Sequence, residues 1–241
     1  MYRERPSRLS GAVVWTRTVD ADDAPRPVLP DGCMDLLWCE GRLLVAGPDT
    51  RAHLPRAPLG TRYAGIRFAP GAGPAFFGVP AHELRDTRPA LDAIWPGARV
   101  RALAASIGDA ADPAAALEAA ALATAPRPDP LARAVARRLA AGWSVAATAA
   151  EAGLGARQLH RRSLDAFGYG PKTLARILRL QRALALVARG MPYAEAALAA
   201  GCADQAHLAR EMRALAGMTL TDYAEAANSD TSTPSGSSTV A

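Results

Sequence analysis

Cysteine, aromatic residues and long apolar runs are scarce in this sequence. Three cysteines stand among 241 residues, which is too few and too scattered for a disulfide framework. No apolar run approaches the roughly 18 residues needed to cross a bilayer. The N-terminal residues include early arginines but lack the apolar stretch that a secretory signal requires. These absences argue against a secreted or membrane-embedded protein and predict a cytosolic one.

Bulky apolar side chains are less common than the overall composition suggests. Half of the residues are apolar, but 57 of the 241 are alanine and only 5% are aromatic. Alanine is the strongest helix former, so the apolar fraction reflects helices more than a large core. The length allows one or two domains.

Proline and alanine divide the chain into two parts. Residues 1–97 hold 12 of the 19 prolines and 13 alanines, whereas residues 98–227 hold six prolines and 43 alanines. In the first part, short apolar or alternating runs bounded by turn-forming residues predict four strands. These runs are Gly11–Thr16, Met34–Cys39, Arg42–Ala46 and Tyr63–Phe68. They predict a small β-rich domain of barrel or sandwich type.

The second part predicts helices throughout. Residues 98–124 have a helical period, which the three prolines of residues 125–130 interrupt, because each proline removes an amide donor and restrains the residue before it. We therefore predict a domain over residues 1–124, a linker over 125–130 and an all-α domain over 131–227. Residues 228–241 lack core-forming side chains and are predicted to be disordered. The fold class is thus α+β, with two domains.

Positive charge is concentrated in the helical domain. Residues 1–130 carry 15 basic and 15 acidic groups, whereas residues 131–227 carry 13 basic and seven acidic groups, a net charge of +6. A compact basic helical domain favours a polyanionic partner, most often nucleic acid. Because 27 of the 28 basic residues are arginine, a solvated arginine-rich face explains the charge alone equally well.

The first of two helix-turn-helix patterns lies in residues 144–167. It predicts a short helix, a turn at Gly153–Gly155 and a second helix, in which the glycines permit the tight turn and small alanines let the helices cross closely. The inward positions are Val145, Ala149, Leu159 and Phe167. On the second helix, Arg157, His160 and Arg161 recur at helical spacing and face away from the core.

A second copy follows in residues 193–216. It predicts a short helix with Ala196 and Leu198–Ala200 inward, a turn at Gly201 and a second helix. The inward positions of that second helix are Leu208, Met212 and Leu215, and its outward positions are Gln205, Ala206, Arg210 and Arg213. Pro171 starts an uninterrupted helical run between the copies, up to Ala188, because proline suits the first helical turn. This rod is about 27 Å long, close to the roughly 34 Å between successive major-groove faces.

Three motifs occur in the order expected of a known family. They are Leu159–Arg162 (Leu-His-Arg-Arg), Arg179-Leu180 followed by Ala183, and Gly201–Arg210. Over residues 131–227 the chain resembles the AraC family of bacterial transcription regulators. The resemblance implies sequence-specific binding of double-stranded DNA by two helix-turn-helix units that enter adjacent major grooves. The implied base-contacting residues are Arg157, His160 and Arg161 in the first unit, and Gln205, Ala206 and Arg210 in the second.

Several positions depart from the family pattern. Ser163, Cys202 and Met212 stand where the family usually has inward phenylalanines. Gly155 stands where a serine usually starts the first recognition helix. These departures predict weaker packing in the first unit, and they predict that Cys202 is a small buried hydrophobe. His207, on the helix flank, is expected to be a packing or phosphate neighbour.

The N-terminal part has motifs of its own, among them Leu29–Leu36, Gly65–Gly71 and Phe77–Pro80. They resemble an uncharacterised β-rich domain that precedes AraC-type modules in many bacterial regulators. The resemblance implies a sensing or dimerisation role. The candidate partners besides DNA are therefore a small-molecule effector, RNA polymerase and a second copy of the chain. No membrane partner is expected. The implied location is the bacterial cytoplasm, at the nucleoid when DNA is bound, and no cofactor, metal ion or catalytic residue is expected.

Two features of the N-terminal part leave alternatives open. The segment Pro30–Asp35 is either a turn leading into a strand, in which Asp31 accepts amide hydrogen bonds, or a loop that contacts a ligand. Arg67, within a strand-like apolar run, either pairs with an acid such as Asp35 or faces a cavity.

Two enzyme classes compete with a DNA-binding regulator. One is a DNA-repair regulator in which a zinc-bound cysteine accepts methyl groups from DNA phosphates. Its zinc domain needs four cysteines, whereas residues 1–130 contain only Cys33 and Cys39. The other is an enzyme with a β-barrel active site and an accessory DNA-binding module. No constellation of nucleophile, base and orienting group supports it.

Overall fold

Five strands from the N-terminal part form one antiparallel sheet, in the order β1-β2-β5-β3-β4. The computed structural model describes residues 1–20, 27–124, 126–127 and 129–228. The strands are β1 (Tyr2–Pro6), β2 (Val13–Thr18), β3 (Met34–Cys39), β4 (Arg42–Ala46) and β5 (Arg62–Phe68). Strands β1 and β4 are the two edges. The sheet is therefore open, and helices take the place that a second sheet would have in a sandwich.

The four strands predicted from sequence are present. Strands β3 and β4 have the predicted bounds, β5 begins one residue earlier, and β2 lies two residues later. The hairpin of β3 and β4 turns at Glu40 and Gly41, whose positive φ angles of 46° and 80° match the twist of the two strands. Strand β1 was not predicted as a strand.

One face of the sheet forms the core of the N-terminal domain. Leu36, Val45 and Ile66 alternate with outward residues on neighbouring strands and have no exposed surface. Three helices complete this core: α1 (Gly73–Phe77), α2 (Gly97–Gly108) and α3 (Pro113–Thr124). Short 3-10 helices lie at Ala81–Glu83 and Leu91–Ala93.

The other face of the sheet carries a buried arginine. The Arg67 Nε lies 3.5 Å from Asp31 Oδ2 and 3.5 Å from Asp35 Oδ1. Trp15 Nε1 also donates to Asp35 Oδ1, at 2.7 Å. Of the two alternatives for Arg67, the structure shows the pairing with acids, here Asp31 and Asp35. Asp31 Oδ1 accepts from the Cys33 amide at 2.9 Å, which confirms the turn predicted for this segment.

The C-terminal domain consists of helices. They are α4 (Pro130–Ala140), α5 (Val145–Glu151), α6 (Ala156–Phe167), α7 (Pro171–Ala188), α8 (Tyr193–Ala199), α9 (Gln205–Ala216) and α10 (Leu220–Asn228). Their apolar faces form a second core, which includes the fully buried Leu174, Ile177 and Leu208. Helix α7 has the predicted bounds and packs against α5 and α6 on one side of the sequence and α8 and α9 on the other. It therefore connects the two helix-turn-helix units through packing as well as through the chain.

Several predictions about the helical region differ from the structure or fall outside the residues it describes. Leu198 and Ala199, predicted to face inward, are exposed on α8, with Leu198 62% exposed; Ala196 and Ala200 are buried as predicted, and Ala197 is buried as well. Within the predicted linker, Asp129 Oδ1 accepts from the Leu131 amide and Pro130 already begins α4. The predicted disorder after Asn228 falls outside the described residues. The domain bounds stay predictions. None of the helices in the described ranges is long and apolar enough to cross a membrane.

Candidate nucleic-acid interface

The first helix-turn-helix unit consists of α5 and α6. The Ser144 hydroxyl caps α5 by accepting from the Ala147 amide at 3.0 Å, which satisfies one of the free donors at a helix start. The chain turns between the helices at Gly153, whose φ of +64° suits glycine. Gly155 has no side chain to cap α6, but Gln158 Oε1 accepts from the Gly155 amide at 3.0 Å. The start of α6 is thus fixed from within the helix.

The second unit consists of α8 and α9 and is capped differently. Asp204 Oδ1 accepts from the His207 amide at 2.6 Å, and His207 Nδ1 accepts from the Ala203 amide at 3.2 Å. The ring of His207 therefore takes part in forming the turn before α9. It is only partly exposed, as its predicted flank position implied.

Helices α6 and α9 occupy equivalent positions in the two units. Each has 12 residues and ends at a glycine with positive φ, Gly168 or Gly217. Matching them from their first residues pairs the buried Leu159 with the buried Leu208. The same matching pairs three further positions: Arg157 with Ala206, Arg161 with Arg210, and Ser163 with Met212.

The six residues predicted to contact bases lie on exposed sides of these two helices. They are Arg157, His160 and Arg161 on α6, and Gln205, Ala206 and Arg210 on α9. Arg157, Arg161 and Arg210 make no hydrogen bond or ion pair with any described residue. Their guanidinium donors are therefore free to bind an external acceptor. His160 differs, because its ring lies against Gly170, where an added Cβ would be 2.7 Å from the imidazole Cε1.

Other arginines of the same domain are engaged within the protein. Arg138 Nη2 donates to Glu151 Oε1 at 3.0 Å. Arg176 Nε donates to Glu211 Oε2 at 2.9 Å, and Arg179 Nη2 lies 3.7 Å from the same oxygen. These arginines stabilise the helical domain, whereas Arg157, Arg161 and Arg210 on α6 and α9 are exposed to solvent.

Two further exposed cations lie close in sequence to the residues assigned on α6 and were not assigned from the sequence. Arg162 on α6 and Lys172 in the first turn of α7 are exposed and have no hydrogen bond or ion pair within the described ranges. The Leu-His-Arg-Arg motif contained a signal for Arg162. Lys172 carried a weaker signal, as the only lysine in the sequence.

The three departures at inward positions are buried. Ser163 is 1% exposed, and its hydroxyl has no hydrogen-bond partner among the described residues. Met212, at the equivalent place in the second unit, is fully buried. Cys202 is 5% exposed, and burial raises the pKa of its thiol, which confirms its prediction as a buried small hydrophobe.

The N-terminal domain packs against the C-terminal end of α6. Arg85 Nη1 donates to the Gly168 carbonyl oxygen at 3.3 Å, and His82 Nδ1 lies 3.5 Å from Asp165 Oδ1. Gly168 leaves no room for a side chain, because an added Cβ would lie 2.5 Å from Pro48 Cγ. The first recognition helix therefore ends in a contact with the other domain.

Helices α7 and α9 also receive contacts from the N-terminal domain. Gln181 Nε2 donates to the Pro30 carbonyl oxygen at 2.6 Å, and the Ala52 amide donates to the Leu215 carbonyl oxygen at 2.8 Å. Leu29 and Ala52 pack onto the core of the C-terminal domain. One domain thus touches both helix-turn-helix units and the helix between them.

Tyr169, next to Gly168, belongs to the core of the C-terminal domain. Its side chain follows Gly168, is 3% exposed, and has no hydroxyl partner among the described residues. Burial raises the pKa of Tyr169, and the negative charge of Asp31 adds to that effect. The turn that contains Asp31 faces the C-terminal domain, because an added Cβ at Gly32 would lie 3.2 Å from Leu174 Cδ1.

Cys33 immediately precedes β3, Cys39 is the last residue of β3, and neither forms a disulfide with a described residue. No group of three or more His, Cys, Asp or Glu side chains in the described ranges is arranged to hold a metal ion. The alternative with a zinc-bound cysteine therefore has no ligand set in this part of the chain.

Two sequence families match the chain. Residues 148–226 match a family described as a helix-turn-helix domain, and residues 12–89 match a domain of unknown function, DUF6597. The first match begins within α5 and continues through the second helix-turn-helix unit. No curated protein matches the sequence significantly.

Solved structures of ToxT from Vibrio cholerae have a similar fold. ToxT from O395 covers 93% of this chain and 97% of its own, with 7% identity and a TM-score of 0.50. An apo ToxT variant from strain SCE256 covers 90% of this chain and 98% of its own, with 10% identity and a TM-score of 0.49. Wild-type ToxT from that strain with a bound unsaturated fatty acid covers 91% and 96%, with 10% identity and a TM-score of 0.46. At such identities the likeness concerns the fold alone.

Proposed function

We propose that this protein is a DNA-binding transcription regulator of the AraC type, whose residues 148–226 match a helix-turn-helix family. In this proposal it recognises two adjacent major-groove segments with helices α6 and α9. The observation that carries the proposal is the set of unpaired guanidinium groups on equivalent helices. Arg161 and Arg210 occupy matching exposed positions and have no hydrogen-bond partner in the described part of the chain. Helix α7, with 18 residues, fixes the distance between the two units.

We assign base reading first to the arginines. A guanidinium matches guanine O6 and N7 in a bidentate fashion, and Arg157, Arg161 and Arg210 have all their donors available. Gln205 suits adenine N6 and N7. Ala206, which replaces Arg157 in the second unit, offers only apolar contact, such as with a thymine methyl group. The two units would therefore read different sequences, with the guanine-reading pair of arginines in the first.

His160 has a smaller role in this proposal. Its ring packs on the Gly170 backbone, which places it beside the start of α7 and near Lys172. We propose that His160 contributes a phosphate contact together with Lys172 and Arg162. Phosphate contacts fix the register of a protein on DNA, whereas base contacts set its specificity.

The N-terminal domain is proposed to regulate the DNA-binding domain through their shared contact. The turn at Pro30–Cys33 and the segment around Ala52 touch α7 and the end of α9. A small-molecule effector that moved these segments would change the relative placement of the two units. RNA polymerase, on which a DNA-bound regulator acts, and a second copy of the chain are the other proposed partners. Since both DNA and polymerase lie in the bacterial cytoplasm, the proposed place of action is the nucleoid.

The proposal is tested with the full-length chain and a DNA site that it selects from a random-sequence library. Arg161→Ala and Arg210→Ala should each weaken binding to that site by about 1 to 3 kcal/mol, if each makes a bidentate base contact. Binding to unrelated DNA should change much less. Arg137→Ala serves as a matched control, because Arg137 is an exposed arginine on α4 without a partner among described residues.

Two outcomes would contradict the assignment. If both variants lose specific and non-specific affinity in parallel, the arginines contact phosphates and base reading lies elsewhere. If neither variant changes affinity while both remain folded by circular dichroism, helices α6 and α9 do not face the DNA.

A further inference from the structure

Arg182 lies on α7 between the two helix-turn-helix units and contacts both of them. Its Nη1 donates to the Ala140 carbonyl oxygen at 2.8 Å, at the end of α4, and its Nη2 donates to the Ala200 carbonyl oxygen at the end of α8. Helix α4 packs on both helices of the first unit, and α8 is the leading helix of the second. One planar guanidinium group therefore joins two helix ends that are far apart in sequence.

The backbone at both helix ends leaves room for this guanidinium group. Gly142 follows α4 with a φ of +89°, and Gly201 follows α8 with a φ of +86°. A Cβ at Gly142 would lie 3.0 Å from Arg182 Nη2, and one at Gly201 would lie 3.5 Å from the same atom. Two glycines in the left-handed conformation thus turn the chain away and expose the last carbonyl groups of their helices.

The charge of Arg182 suits its place. The C-terminal end of a helix carries a partial negative charge, and a cation there is stabilising. Arg182 is only partly exposed, and no carboxylate is paired with it in the described part of the chain. Its hydrogen bonds go to two main-chain carbonyl oxygens, which a rigid fork of donors can reach together and a single ammonium group cannot.

We propose that Arg182 is a positioning residue that sets the relative orientation of the two helix-turn-helix units and so the spacing of the DNA segments they read. This inference rests on the proposed function. Two linked binding modules gain affinity from each other only when their geometry lets both engage at once. Loss of the fork would let the units rotate relative to each other, while each recognition helix kept its own surface.

The test compares complete and half sites. The DNA probes are the site selected by the full-length wild-type protein, the same site with either half scrambled, and the same site with one or two base pairs inserted between the halves. The protein variants are Arg182→Met, which keeps an unbranched apolar stem, and Arg182→Lys, which keeps the charge but not the fork. Arg189→Met is the matched control, because Arg189 is exposed at the end of the same helix and has no described partner.

Arg182→Met should reduce affinity for the complete site by about tenfold or more, because the advantage of simultaneous engagement is lost. Its affinity for each half site should stay within about threefold of wild type, which also shows that the variant is folded. The penalty for inserted base pairs should shrink. Arg182→Lys should fall between wild type and Arg182→Met, and Arg189→Met should leave the ratio of complete-site to half-site affinity unchanged.

The outcomes separate this inference from the function on which it rests. If wild-type protein selects no two-part site, the proposed function fails and the inference fails with it. If wild type selects such a site but Arg182→Met and Arg182→Lys both keep the wild-type ratio and spacing preference, only the inference is overturned. The inference is also overturned if Arg182→Met loses half-site and complete-site affinity equally while Arg182→Lys behaves as wild type, because the residue then acts through its charge alone.

Discussion

Gln181, in the middle of α7, donates from its side-chain amide to the carbonyl oxygen of Pro30 at 2.6 Å. This hydrogen bond joins the helix between the two DNA-binding units to a turn of the N-terminal domain. The same turn also approaches α7 at Gly32. A Cβ added there would lie 3.2 Å from Leu174 Cδ1. A change in the N-terminal domain therefore has a direct structural route to the helix that sets the spacing of α6 and α9.

Gly32→Ala should perturb this contact, and Gly41→Ala is its matched control. Both glycines have positive φ, +84° and +80°, so an alanine at either site costs about 1 to 2 kcal/mol of backbone strain. Only Gly32 is also crowded, by Leu174 and Pro70, whereas nothing lies within 4 Å of the Cβ position at Gly41. Urea denaturation should show a larger loss for Gly32→Ala.

DNA affinity should also change more in Gly32→Ala than in Gly41→Ala. Gly32→Ala should alter affinity for the selected site, because the turn rests on α7, and Gly41→Ala should leave it unchanged. Equal losses of stability together with unchanged DNA affinity in both variants would show that the turn does not couple the domains.

Glu118 predicts how stability depends on pH. Burial raises the pKa of this carboxyl, but hydrogen bonds from Arg5, Ser7 and the Arg8 amide outweigh burial and hold its pKa at about 2, below the ordinary value of 4.5. Because the folded-state pKa is the lower one, the carboxylate stabilises the fold above about pH 4.5 and loses this effect as the pH falls toward 2.

Glu118→Gln should therefore cost about 1 to 2 kcal/mol near neutral pH and reduce the acid sensitivity of the fold. The measurement is the free energy of unfolding in urea at a series of pH values. Glu195→Gln, at an exposed carboxylate on α8, should match wild type at each pH. If the stability of Glu118→Gln depended on pH as wild type does, the role assigned to the Glu118 carboxylate would be refuted.

Ser163 and Ser144 should respond in opposite ways to replacement by alanine. The Ser163 hydroxyl is buried without a described partner, so its removal should leave stability unchanged or raise it by up to about 1 kcal/mol. The Ser144 hydroxyl caps α5, so its removal should cost about 1 kcal/mol. Thermal unfolding of the two variants compares them directly, and destabilisation by Ser163→Ala would mean that the hydroxyl has a partner.

The sequence predicted strands β2 to β5 and the helices from α2 onward because their signals are local. Apolar residues repeat at helical spacing in α7, and glycines mark the turns of both units. Strand β1 gave no such signal, since Tyr2–Pro6 carries charged residues and becomes a strand by pairing with β2. The prediction that Leu198 faces inward was wrong, because an apolar side chain suggests burial, whereas the buried positions of α8 are occupied by small alanines.

The contacts between the domains could not be predicted from side-chain patterns. Gln181 and Arg85 donate to main-chain carbonyl oxygens, of Pro30 and Gly168, and every residue has such an acceptor. The role of Arg182 could not be predicted either, because it also donates to main-chain carbonyl oxygens. In sequence it is one arginine among many in a basic domain. By contrast, the exposed arginines of α6 and α9 could be predicted, because helical spacing alone separates them from the core positions.

The most direct test of the central claim is a methylation-interference experiment at guanine N7, using full-length protein and its selected DNA site. Arginines that read guanine approach N7 in the major groove, so methylation there should block binding. The account predicts two clusters of interference about 10 base pairs apart, with Arg161→Ala relieving the interference in one cluster and Arg210→Ala in the other. A single cluster, or interference that neither variant changes, would contradict the claim that both units read DNA.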